Sequence, residues 1–159
     1  MPVTELPRLP GTYVLAMRLP RLTTIEVGRL GCFLFPAGWY AYVGSARGPG
    51  GVGARISRHL RPSKPLHWHV DYVRVHAEPV EIWYACELRS PGRQECAWAQ
   101  ALSSLPQATV VAPGFGASDC HCTTHLFHFA TTPDLDAFIQ AIDVPVSQER
   151  LALNSSETR

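Results

Sequence analysis

The chain has 159 residues, 46% hydrophobic and 17% charged, with a net charge of +1. Those proportions exclude a disordered chain and a strongly basic nucleic-acid-coating protein, and they suit one domain with a sizeable core. No apolar run approaches the roughly 20 residues of a membrane helix, and MPVTELPRLP is not a basic segment followed by an apolar one, so the sequence predicts a soluble, cytoplasmic protein. Five cysteines, an odd number, predict reduced thiols in that compartment.

Residues 1–10 read as a loosely held lead-in. Gly11 then opens the β-branched and aromatic run Thr12–Arg18, a strand, and Pro20-Arg21 make a turn. Thr23–Val27 and Cys32–Phe35 read as short strands joined through Gly28–Gly31, with Pro36-Ala37-Gly38 leading into a strand at Trp39–Val43. Together these predict an antiparallel meander. Val52, Ile56 and Leu60 fall on one face of a helix that Pro62 ends. Leu66–Val75 fits either a strand, with His67, His69 and Asp71 alternating against Trp68, Val70 and Tyr72, or a helix that brings His67 beside Asp71. The loop and strand that follow, Val80–Cys86, favour the helix. A second helix is expected from Ser90-Pro91-Gly92 through Glu95, Cys96, Trp98, Ala99 and Leu102, then a glycine-containing loop, a strand at His125–Phe129 and a last helix over Leu135–Ile142. The domain is bounded at 11–143, and residues 144–159 read as a flexible tail.

Chemistry concentrates between Trp39 and His59, WYAYVGSARGPGGVGARISRH. An aromatic run breaks on Gly44, crosses a glycine loop and enters a helix carrying Arg55, Arg58 and His59. Such a junction presents backbone N–H groups, an arginine and a tyrosine edge to one phosphate. Six of the 14 basic residues, Arg29, Arg47, Arg55, Arg58, Arg61 and Lys64, and none of the 13 acidic ones lie between Val27 and Val70. A solvated helix face explains the charge alone equally well. The expected phosphate-binding groups are Gly44, Ser45, Arg47, Arg58 and Lys64.

Gly11-Thr12-Tyr13, Tyr42-Val43-Gly44, Arg55 with His59 four residues on, and Glu95 on a later helix, in that order, resemble the GIY-YIG nuclease superfamily. The stretches Tyr40–Ala46, Arg58-His59-Leu60, His67–Tyr72 and Gly114–Cys120 resemble most closely an uncharacterised branch whose members stand alone or are fused to DNA-repair proteins. The gap from Tyr42 to Arg55 is longer than the usual spacing by a Gly-Pro-Gly-Gly insertion, and Thr12 and Val43 stand where the triplets carry isoleucine. The resemblance implies a metal-dependent endonuclease acting on DNA, including branched or damaged repair intermediates, with a repair protein as a further partner and no membrane association.

Each residue type suits a part of phosphodiester hydrolysis. Arg55 is a permanent cation with planar donors for phosphate oxygens. Glu95 is the hard oxygen ligand through which Mg²⁺ or Mn²⁺ is held. The resemblance assigns a tyrosine to orienting or deprotonating the water. A free phenol titrates near 10, so Tyr42, favoured because it abuts the glycine loop, serves as a base only if the cationic pocket lowers it. Tyr13 is expected as its hydrogen-bonded partner, and His59 beside Arg55 as a water- or phosphate-contacting group. This reading requires Arg55 and Glu95 to converge and both phenols to reach solvent.

A secondary site is conceivable in His67, His69 and Asp71, although histidines hydrogen-bonded around packed Trp68 and Tyr72 account for the same residues. Asp119, Cys120, Cys122 and His125 resemble zinc ligands, but without a separated second Cys pair four crowded ligands are hard to wrap around one tetrahedral ion. Small buried cysteines and a loop-capping Asp119 are expected instead, so zinc is disfavoured. The sequence thus predicts an α/β (α+β) domain, a small, mostly antiparallel sheet flanked by helices with a C-terminal strand-helix extension. It is read as a nuclease, with a non-catalytic nucleic-acid-binding module and a zinc-binding structural domain as the alternatives.

Overall fold

The computed structural model describes residues 6–86, 94–118, 120–142 and 144–151. Among them, β1 (Gly11–Leu19) is central in a five-stranded antiparallel sheet with order β6-β4-β1-β5-β7. Its neighbours are β4 (Gly38–Ala46) and β5 (Glu78–Cys86), and the edges are β6 (Leu126–Phe129) and β7 (Ser147–Arg150). Only Arg18 of β1 is exposed, as expected of a strand covered on both faces. The expected meander is corrected: β1 pairs with β4, while β2 (Thr23–Val27) and β3 (Gly31–Phe35) form a separate hairpin between them.

Strand alternation divides the core in two. On one face Tyr13, Leu15, Met17 and Tyr40 pack with Val52 and Ile56 of α1 (Gly51–Leu60), Val70 and Val73 of α2 (His69–Arg74), and the hairpin. On the other, Val14, Ala41, Val43 and Trp83 pack with Trp98, Ala99 and Leu102 of α3 (Gln94–Ser103) and Phe138 of α4 (Leu135–Ile142). The helical reading of Leu66–Val75 holds for its second half. Trp68 has extended backbone, and the Asp71 side chain accepts from its N–H to close the first turn of α2.

Three local expectations change. Gly44 does not break its strand: β4 continues to Ala46, with Gly44 opposite Tyr13 and Gly11 opposite Ala46. A Cβ on Gly44 would sit against Tyr13 Oη and 2.5 Å from its Cζ, so this glycine makes room for the phenol ring. Leu6 is buried rather than loosely held, and the Val52 and Gly53 N–H groups donate to the carbonyls of Leu9 (2.9 Å) and Pro7 (2.8 Å). Gly51, at φ +57° and where a Cβ would collide with the Leu9 backbone, permits that approach. Ser147–Arg150, within the expected flexible tail, pairs with β5, and Gln148 donates to Glu81 Oε1 at 3.2 Å. The expected helix start at Ser90-Pro91-Gly92, the boundary at Asp143 and the tail beyond Leu151 lie outside the described residues.

Candidate functional site

The aromatic end of β1 and β4 meets α1 in one cluster. The Tyr13 hydroxyl lies 2.6 Å from His59 Nε2. The Tyr13 and Tyr42 rings sit edge to face at 6.3 Å, and Tyr42 also meets His59 at 6.2 Å and Phe115 at 6.1 Å. Arg55 spans the side of this cluster: one guanidinium N–H donates to the Ser45 carbonyl at 2.9 Å, and its Cζ stands 4.4 Å from the Trp68 ring centre. Gly116 closes the opposite side, with space for a Cβ only 3.2 Å from both Tyr42 and His125.

The electrostatics overturn the phenol-as-base expectation. Burial pushes Tyr13 and Tyr42 well above the usual phenol value, and although Arg55 opposes the rise in both, it does not cancel it. The Glu95 carboxylate adds to the rise in both phenols; although α3 packs on the other sheet face, Glu95 lies 3.9 Å from His125, which meets Tyr42 across Gly116. Tyr13 is fully buried and does not meet the requirement for solvent access, whereas Tyr42 is only partly buried. The expected Tyr13–Tyr42 hydrogen bond is replaced by the Tyr13–His59 one. Burial, reinforced by Arg55, lowers His59 to about 3. It is a neutral, buried imidazole hydrogen-bonded to the Tyr13 hydroxyl, not a phosphate-binding cation.

The expected phosphate-binding groups are largely turned to other uses. The N–H groups at the start of α1 are taken by Leu9 and Pro7, Gly44 lies in a strand, and the Ser45 carbonyl is held by Arg55. Arg58 grips Asp71 through both terminal nitrogens at 2.9 and 3.0 Å and stacks 4.1 Å from the Trp68 centre. Lys64 donates to the carbonyls of His59 and Arg61 at the end of α1. Arg47 is exposed beyond β4.

The conceivable site at His67, His69 and Asp71 dissolves into structural bonds. Asp71 accepts from Arg58 and from the N–H groups of His67 and Trp68. Burial raises its carboxyl, but those hydrogen bonds outweigh the penalty and leave it below the usual value. His69 Nδ1 accepts from the Gly116 N–H at 2.8 Å, fastening the glycine loop to α2, while His67 is exposed and tilted against Trp68 at 5.6 Å.

A second cluster lies where α3 meets the loop before β6. One donor atom each from Cys96, Cys120, Cys122 and His125 lies within 4.8 Å of all the others. His125 Nε2 is 3.5 Å from Cys120 Sγ, and its Nδ1 faces Glu95 Oε2 at 3.9 Å. Asp119 lies outside the described residues. Cys96 is absent from the loop's own run of ligands, because it stands on a helix whose spacing marks it as core. The signal was its place directly after Glu95 on a helix that must pack near the loop. Trp68, expected only to pack, lies under two guanidiniums.

These features define a mixed α/β domain in which a tyrosine–histidine–arginine cluster and a cysteine–histidine cluster meet at Gly116, between Tyr42 and His125. The family model for the domain of unknown function DUF123 matches residues 12–145, and the chain belongs to that family. No curated protein and no solved structure matches it. No helix among the described residues is long and apolar enough to cross a membrane.

Proposed function

We propose that this domain is a GIY-YIG-type, metal-dependent endonuclease that hydrolyses DNA phosphodiester bonds. One arrangement carries the reading: Arg55 of α1 and Glu95 of α3 flank the same tyrosine-lined end of the sheet, and both charges act on the two phenols. Arg55 is bonded to the Ser45 carbonyl at 2.9 Å, and Glu95 lies 3.9 Å from the His125 ring that meets Tyr42 across Gly116. Arg55 retains donors beyond the Ser45 contact and supplies the counter-charge for a phosphate at the Tyr42 edge. Glu95 is partly exposed and suits a cation that binds through one carboxylate and keeps its waters. Bound there, Mg²⁺ or Mn²⁺ would supply charge stabilisation to the leaving oxygen. Tyr42, kept protonated by its surroundings, orients the attacking water rather than deprotonating it. Solvent access is required of Tyr42 alone and not of both phenols, because only Tyr42 faces the substrate. Tyr13 and His59, both buried, are positioning residues whose hydrogen bond fixes the floor under it. Branched or damaged repair intermediates, delivered by a repair-protein partner, are the substrates to try first.

The test is cleavage of linear, flap, fork and junction DNAs with Mg²⁺ in the wild type, Arg55→Ala and Glu95→Gln. The expected loss is about a hundredfold or more in either variant, with unchanged thermal unfolding. Wild-type rates in both variants would sink the nuclease reading. The sealed Tyr13 favours a second reading, a nucleic-acid-binding module that keeps the fold without turnover. Mobility shifts by the wild type with no cleavage under any divalent ion would establish it.

A further inference from the structure

We infer that Cys96, Cys120, Cys122 and His125 form a zinc site that clamps the first turn of α3 to the loop preceding β6. The donor set fits the ion. Three sulfurs and one imidazole nitrogen are the soft-to-borderline ligands that favour tetrahedral zinc over magnesium or calcium. Arms of about 2.3 Å to sulfur put the corners of such a tetrahedron about 3.8 Å apart. The 3.5 Å edge from Cys120 Sγ to His125 Nε2 matches that figure, and the 4.8 Å limit on all other separations requires only small closure.

The crowding objection fails because the loop supplies three ligands and α3 the fourth. The loop is pinned across its base. Gly114 N–H donates to the Thr123 carbonyl at 2.6 Å and His125 N–H to the Phe115 carbonyl at 2.8 Å, while His125 is 1% exposed. A groove lined by Cys96, Ala99, Gln100, Cys120, Cys122 and Phe127 leads from solvent to the ligands. On the far side of the imidazole, Nδ1 faces the Glu95 carboxylate, the carboxylate–histidine–metal order that orients a ligating ring. Zinc therefore holds Glu95 in place through its chain neighbour Cys96, with the carboxylate 3.9 Å from the His125 ring. The site stands on its own donor atoms and does not depend on the nuclease reading.

The experiment is elemental analysis of the full chain after exhaustive dialysis against metal-free buffer, followed by titration of metal-depleted protein with CoCl₂. One zinc per chain is expected, as are the visible absorption bands of tetrahedral thiolate-bound cobalt, bleached by one equivalent of ZnCl₂. Cys96→Ser and Cys122→Ser are expected to weaken zinc binding at least a hundredfold, while Cys32→Ser, at an exposed cysteine outside the cluster, retains it. Should the cluster variants misfold, the wild-type cobalt spectrum and its competition by zinc decide the matter. Folded wild type that takes up neither metal, or Cys96→Ser and Cys122→Ser proteins that each keep one tightly held zinc, would overturn the site.

Discussion

His59 shows how one buried side chain sets a working range of pH. The unfolded chain protonates this histidine near 6.5, whereas the folded protein resists until about 3 because burial and Arg55 disfavour the cation. Its contribution to stability is complete above pH 6.5 and is lost as the pH falls towards 3, at up to about 1.4 kcal/mol per pH unit. Urea unfolding between pH 7 and 4 is expected to show a shallower acid decline in His59→Gln than in the wild type. Parallel declines would show that the imidazole is not held neutral. The residue types of the cluster were legible in the sequence, but their environment was not. Residue spacing put Tyr13, Tyr42, Arg55 and His59 in order without revealing that Tyr13 is sealed or that its hydroxyl belongs to His59.

Among the elements, α2 depends on one carboxylate. It has six residues, too few to persist on propensity, and Asp71 ties its first turn to α1 through Arg58 and to the preceding chain through two N–H groups. Replacing Asp71 with Ala strands Arg58 and those donors, so a loss of about 3 kcal/mol is expected in urea unfolding at neutral pH. A loss under about 1 kcal/mol would mean that the pair is solvent-screened instead. Legibility at this scale follows burial. The last helix, Leu135–Ile142, emerged with its expected bounds, because Leu135, Phe138 and Ile142 mark one face. Edge strand β7 is polar with no residue fully buried, and it is recognisable only by its pairing with β5. The Leu6–Pro10 segment is fixed by main-chain carbonyls, which residue identity does not advertise.

For the molecule as a whole, two cores on a single sheet bring functional groups from opposite faces to one end of β1 and β4. The β-branched and aromatic run of β1 and the helical spacing of the flanking segments made the class readable. The excursion of β2 and β3 and the meeting of α3 with the loop before β6 are long-range pairings that no local pattern encodes. A practical consequence follows from two neighbours in the chain, an acidic residue at 95 and a thiol at 96. An EDTA treatment intended to prove a magnesium requirement would also draw on the zinc inferred at the neighbouring sulfur cluster. Brief exposure is expected to be reversed by MgCl₂ alone. Prolonged exposure should require ZnCl₂ as well, with the near-ultraviolet dichroism returning in step with the activity. Full recovery on magnesium after any length of treatment would show that the two metals do not share that turn of helix.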